Sequence, residues 1–179
     1  MLNSKPNNKN YHQGNYIPLN KNKILKLNSQ GGVYYRSSWE LKIMQFFDKN
    51  EKIIIWSAES VQIPYQLTHY EKNGDINLKS HCYYPDFYYE LLKSDGTTQK
   101  VVAEVKPKAE YDDVILFEKK LFKIPENPSL KKLTSIEYKF KLAQKNSEKW
   151  QTMIKYCEKK GWSFIIITEE VLKKMGILY

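Results

Sequence analysis

The 179-residue sequence predicts an α/β domain with a mixed central sheet flanked by helices. Three observations carry that expectation. Apolar residues between Tyr34 and Asp48 recur at helical spacing. Short apolar and aromatic segments separated by turn signals fill residues 52 to 106. A long helical pattern ending at Gly161 is then followed by an apolar segment and a short helical one. Helix, antiparallel strands, helix, strand, helix is the order of a mixed core rather than of a regular βαβ alternation.

Taken in order, residues 1 to 30 are rich in Asn, Lys, Gln and Ser, show no sustained period and are closed by Gly31-Gly32. They predict a flexible basic N-terminal arm, with residues 31–179 forming a single domain. Tyr35, Trp39, Ile43 and Phe46 mark one helix, with Ser37 or Ser38 near its start and no Pro or Gly inside. Lys52 to Trp56, Val61 to Tyr65 and the aromatic run His81 to Leu92 read as strands of a meander, with a turn around Asn73-Gly74-Asp75. Ser94-Asp95-Gly96 then joins the aromatic strand to Lys100–Lys106 as an antiparallel hairpin. Residues 107 to 135 carry three prolines and a short helix around Asp113 to Phe122, a connection long enough to suggest a functional loop. Tyr138, Leu142, Trp150, Ile154 and Cys157 define a helix from about Ile136 to Lys160; Ser163 to Thr168 is a buried strand and Glu169 to Lys174 a last helix.

Composition narrows the function. Lys plus Arg number 29 against 20 Asp plus Glu, a formal charge of +9, which excludes an acidic scaffold. A hydrophobic content of 41% and an aromatic content of 14% exclude a disordered chain. Cys82 and Cys157 stand far apart and the three histidines are scattered, so no disulfide framework or zinc site is expected and a reducing compartment fits best. Apolar runs such as Ile165 to Ile167 are too short to span a membrane. Of the basic residues 28 are Lys, a bias that AT-rich coding DNA produces unaided, so placement says more than number. Residues 1 to 30 hold five Lys and no acid, and residues 118 to 145 hold eight Lys against three Glu. Clustered cations attract phosphate backbones through counterion release, which makes nucleic acid the leading partner.

The chemistry concentrates in the hairpin. Side chains alternate along a strand, so Glu104 and Lys106 share one face while Val105 points to the other. Asp86 is about as far from the turn as Glu104, so the two carboxylates can meet on neighbouring strands. Their repulsion calls for a cation, and Mg²⁺ takes a few carboxylate oxygens together with waters and a substrate phosphate. An acid-x-Lys triplet on a solvated strand is common surface charge. Here, though, it closes the apolar run Val101-Val102-Ala103, and Pro85-Asp86 falls among rings rather than in a polar loop. Glu40 shares a helix face with Ile43, Met44 and Phe47. It is either a salt-bridge partner for Arg36, one turn earlier, or a third carboxylate of the metal site.

An acid on a helix, Pro-Asp on one strand and Glu-x-Lys on the next resemble the pattern of the PD-(D/E)XK nuclease superfamily. More closely, residues 33 to 170 resemble the head-completion nuclease family of T-even-type tailed bacteriophages. That likeness rests on Tyr35-Arg36-Ser37-Ser38-Trp39-Glu40, Ile63-Pro64-Tyr65, Tyr84-Pro85-Asp86-Phe87, Glu104-Val105-Lys106-Pro107, Lys149-Trp150 and Gly161-Trp162-Ser163-Phe164. A more distant likeness is to the endonuclease subunit of Tn7-like transposases. The resemblance implies a restriction-endonuclease-like core and a DNA endonuclease dependent on Mg²⁺, with Mn²⁺ able to substitute. It implies Asp86, Glu104, the Val105 carbonyl and Glu40 as the metal set, and Lys106 as the residue that orients or helps deprotonate the attacking water. Gln144, Asn146 and Lys149, with Arg36 and Lys145, form the implied DNA-binding set. Portal or neck proteins of a phage are the implied partners, and the virion and host cytoplasm the implied location. The alternative is a structural neck protein that binds the packaged DNA end without cutting it.

Overall fold

A computed structural model of the chain describes residues 12–71 and 73–178. Its centre is a four-stranded mixed sheet in the order β3-β6-β7-β8, made of Ile53–Ala58, Phe87–Leu92, Thr98–Val105 and Ser163–Ile167. β3, β6 and β7 are antiparallel neighbours, while β8 joins β7 in parallel after a helical crossover. Helices α1 (Ser38–Lys49) and α4 (Glu169–Lys174) cover one face; α2 (Lys108–Glu118) and α3 (Leu130–Lys160) cover the other. The mixed α/β core expected from the sequence is therefore present.

Strand alternation divides the core in two. Val101 and Ala103 of β7, with Phe87 and Tyr89 of β6, meet Ile43, Met44 and Phe47 of α1. Val102 and Tyr88 turn the other way, toward Trp150, Met153 and Cys157 of α3. Helix α1 starts where Ser37 accepts a hydrogen bond from the Glu40 amide, later than expected, because Val33–Tyr35 form a short strand, β2. Helix α3 ends where expected, at Gly161, whose φ of 66° and ψ of 28° are the left-handed values that glycine adopts without cost. It begins earlier, at Leu130, capped by Ser129, so most of the supposed loop over 107–135 is helix: α2, a connection over 119–129, and the first turn of α3.

Two expectations are corrected. The aromatic run from His81 to Leu92 is not one strand. Buried Pro85 lacks the amide a continuous ladder needs, and the chain breaks at Tyr84-Pro85-Asp86. Upstream of the break, Ile76–Tyr83 (β5) pairs with Ile63–Tyr70 (β4) in a separate hairpin that packs on α3. The flexible arm over 1–30 is the second. Residues 1–11 lie outside the described residues, but Gly14–Tyr16 form β1, paired antiparallel with β2. Asp48, fully buried near the end of α1, fastens this segment. Its carboxylate accepts hydrogen bonds from Tyr16 Oη (2.7 Å), Leu19 N (2.7 Å) and Asn20 N (2.9 Å), and its carbonyl accepts from Lys23 Nζ (3.1 Å). The local sequence offered no period because these bonds reach 25 to 32 residues along the chain. No helix among the described residues is long and apolar enough to cross a membrane.

Burial of Asp48 opposes its ionisation, but the three donors outweigh that and hold its carboxyl below the ordinary range. Asp48→Ala, which orphans these donors, is expected to cost roughly 2–4 kcal/mol. A carboxyl with a lowered folded pKa contributes stability above its unfolded pKa of about 4 and loses it as pH falls further. The difference in melting temperature between parent and variant should therefore be full at neutral pH and shrink below about pH 4. A constant difference across that range would contradict this account.

Candidate active site

The β6–β7 register places Phe87 opposite Ala103, so Asp86, one residue outside the ladder, faces the end of β7 at Glu104 and Val105. Asp86 Oδ2 accepts a hydrogen bond from Val105 N at 2.6 Å. Its own carbonyl accepts one from Glu59 N at 3.1 Å. Glu59 takes up the left-handed conformation (φ 45°), uncommon for a residue other than glycine, at the exit of β3. Glu104 is 3% exposed, one oxygen 3.1 Å from Lys106 Nζ and the other accepting from Tyr83 Oη at 2.8 Å. The structure thus brings Asp86, Glu104, Val105 and Lys106 together at one end of the sheet.

The electrostatics follow from burial. Desolvation first, and the neighbouring Glu104 second, push the Asp86 carboxyl up to about 8. Burial alone would lower the Lys106 ammonium, but Glu104 and Asp86 overcome it and hold Lys106 charged. Tyr83, raised by burial and then by Glu104, stays a neutral donor. Lys149 is a second cation at this end: its Nζ lies 4.9 Å from the centre of the Tyr83 ring. Burial, helped by Lys106 and Lys145, lowers it, while Glu104 and Asp86 pull the other way.

A cleft of about 440 Å³ opens here, lined by Arg36, Glu40, Asp86, Val105, Lys106 and Glu110 among others. Glu40 therefore shares the cleft with Asp86, but not as the salt-bridge partner of Arg36. Its oxygens accept from Ser37 Oγ (2.9 Å) and from the Arg36 backbone N (2.8 Å), while Ser37 Oγ accepts from the Glu40 amide, a variant of the capping box in which the glutamate reaches the amide just before the cap. The Arg36 guanidinium pairs instead with Glu59 at 3.0 Å. Among the described residues no three His, Cys, Asp or Glu side chains stand close enough together to enclose a metal ion. Asp86 and Glu104 nevertheless have the donor chemistry of a hard divalent cation. They are oxygen ligands, Glu104 buried and Asp86 half-buried, and they repel each other, so an added positive charge would relieve the penalty on Asp86.

Of the residues expected at a DNA surface, Arg36 and Lys145 are exposed and Lys149 is half-buried beside Tyr83. Gln144 and Asn146 are corrected. Both are buried, because from Ala143 onward α3 is wedged between the sheet, α2 and the β4–β5 hairpin. Gln144 Nε2 donates to the Thr68 carbonyl at 2.9 Å, tying α3 to β4, and Asn146 Nδ2 has no partner among the described residues. Sequence reasoning missed Tyr83 and Glu110. Tyr83 adjoins Tyr84-Pro85-Asp86, a usable signal once the chain break is known; Glu110, four residues after Lys106 on the first turn of α2, carried none.

An acid pair with an adjoining lysine at the open end of a mixed sheet has the charge and oxygen donors that suit anionic substrates and hard cations, and comparison with known proteins narrows the class. Residues 50–169, two-thirds of the chain, match the family described as TnsA-like endonuclease N terminal, and the chain belongs to that family. It is also 27% identical over 171 residues to the head completion nuclease of Enterobacteria phage T4, covering 92% of this chain and 96% of that protein. No solved structure matches. The resemblances to the head-completion nuclease family and to the endonuclease subunit of Tn7-like transposases are thereby borne out. Asp86, Glu104, Lys106 and Lys149 lie inside the family match, whereas Glu40 lies upstream of it.

With divalent ions chelated, a carboxyl raised to about 8 makes the folded protein lose stability as pH rises from about 4, where the unfolded Asp ionises, through about 8. Asp86→Asn removes that cost. Above about pH 8 the variant should melt higher than the parent in EDTA, and the gap should close toward about pH 4. A parent that is the more stable at high pH would overturn the assignment of Asp86 as a desolvated, charge-penalised acid.

Proposed function

We propose that this protein is a divalent-metal-dependent DNA endonuclease that acts in phage head completion. The observation that carries the proposal is the half-buried Asp86 beside buried Glu104, with Lys106, at a cleft, in a chain that belongs to an endonuclease family. The name of the phage T4 relative supplies the biological setting.

Asp86, Glu104 and the Val105 carbonyl would hold Mg²⁺ or Mn²⁺, whose charge would polarise the scissile phosphate, and Glu40, across the same cleft, would join them by giving up one of its capping bonds. The residues of the chain do the rest. Lys106, kept charged between Glu104 and Asp86, offers ammonium hydrogens that orient a water for attack on phosphorus and neutralise the negative charge that grows as the P–O bond breaks. The Val105 amide and the Glu59 amide lock Asp86 from two sides, so its free oxygen is aimed without reorganisation. Tyr83 fixes one oxygen of Glu104 and leaves the other toward Lys106. The substrate is DNA, the assembly partners are portal or neck proteins, and the protein works in the host cytoplasm and the virion.

A plasmid-nicking assay tests this. Cleavage should require Mg²⁺ or Mn²⁺ and stop in excess EDTA. Asp86→Asn, Glu104→Gln and Lys106→Met should each lower the rate by roughly 10²-fold or more. A protein that binds the plasmid but never cuts it would make the structural DNA-end-binding reading the better one. Glu40→Gln is a sharper probe, because glutamine also completes a capping box. Its melting temperature should match the parent while its rate falls at least about tenfold. Unchanged cleavage would leave Glu40 with only its capping role.

A further inference from the structure

We infer that one face of α3 is a track for the phosphate backbone of double-stranded DNA, leading outward from the acid pair. The inference rests on the nuclease function proposed above and adds the path of its substrate. At 100° per residue, Lys131, Thr134, Tyr138, Lys141, Lys145 and Lys149 all fall within a sector of roughly 80°, and no Asp or Glu falls between them. Both flanks of that sector are occupied. On one side Gln144 and Glu148 bond to Thr68 of the β4–β5 hairpin; on the other Lys139 pairs with Asp113, and Ser147 bonds to Glu118, both on α2. Between them the helix is open. Lys131, Thr134, Lys141 and Lys145 are exposed, Tyr138 is 67% exposed, and none of the four lysines of the sector forms an ion pair among the described residues.

The inner end of the track is fixed by geometry. Lys149 Nζ lies over the Tyr83 ring at 4.9 Å, and the Tyr83 hydroxyl donates to Glu104 at 2.8 Å. From Lys149 to Lys131 the helix rises about 27 Å, which is the length of about eight base pairs of duplex. Lysines are point charges rather than planar forks, and the Tyr138 hydroxyl is a phosphate donor, so the track grips the backbone without reading bases. Clustered, unpaired cations in a row beside a phosphodiesterase site are complementary to a polyanion of regular spacing.

The test uses the full chain and a fluorescent 24-base-pair duplex in EDTA, with affinity followed from low to moderate KCl. The triple variant Lys131→Gln, Lys141→Gln, Lys145→Gln is compared with Lys52→Gln, Lys93→Gln, Lys155→Gln, which removes the same charge elsewhere. Each lost phosphate contact flattens the plot of log affinity against log salt by about 0.9, so the track triple should flatten it by up to about 2.7 while the control stays near the parent slope. Equal slopes for the two triples would overturn the track, as would a parent that prefers the single strand. Because all six residues are exposed, both triples should fold; matching melting temperatures check this, and Lys145→Glu alone should weaken binding more than Lys93→Glu. Cleavage of plasmid by the parent separates the two ideas. A parent that cuts but shows no track effect sinks only the track, and one that shows the track effect but never cuts sinks only the nuclease.

Discussion

A carboxylate kept at the end of a strand that is buried on both faces is the constraint around which this molecule is arranged. Glu104 follows Val101, Val102 and Ala103 with almost no contact with water, so its partners must come from the protein. Lys106, two residues on and on the same face, supplies the charge; Tyr83, arriving from a different hairpin, supplies a hydroxyl. Asp86 is drawn beside them by the β6–β7 register and held by the Val105 amide. Two acids against one adjacent lysine leave the cluster short of positive charge. That shortfall makes a half-buried Asp86 costly without a cation and useful with one.

Much of this was legible because the decisive relations are local. The separation of Asp86 and Glu104 from the Asp95-Gly96 turn set their pairing, and two-residue alternation put Glu104 and Lys106 on one face. The C-terminal end of α3 followed from Gly161. What stayed hidden depends on contacts far along the chain. Nothing near Tyr16 announces that it bonds to Asp48, so a packed segment read as an arm. Nothing near Gln144 announces Thr68, 76 residues away, so a buried tie read as a solvated side chain. Glu40 is the local case: Ser37-x-x-Glu40 is a capping signal within one turn, and the structure replaces the expected Arg36 salt bridge with that cap.

The two faces of the sheet carry different duties. The α1 side is a ring-rich core in which Phe47 meets Phe87 edge-on and packs against Tyr89 and Trp56, and its outer rim is the fastened N-terminal segment. The α3 side carries the charged end of the site and has the β4–β5 hairpin along its margin, most of β5 facing solvent. Pro85 is the hinge of this division: by ending the ladder it frees β5 to pair away from the central sheet, yet leaves Tyr83 close enough to reach Glu104.

Helix α3 is one uninterrupted rod of 31 residues that serves as core on its inner turns and projects beyond the core on its outer ones. Its two jobs are locked in rotational phase. Adding or removing a single residue between Lys131 and Lys149 would swing the outer turns by about 100° while the inner turns kept their grip on the sheet. Length variation in related proteins should therefore collect in the connection over residues 119–129, where it alters no phase, and avoid the rod itself.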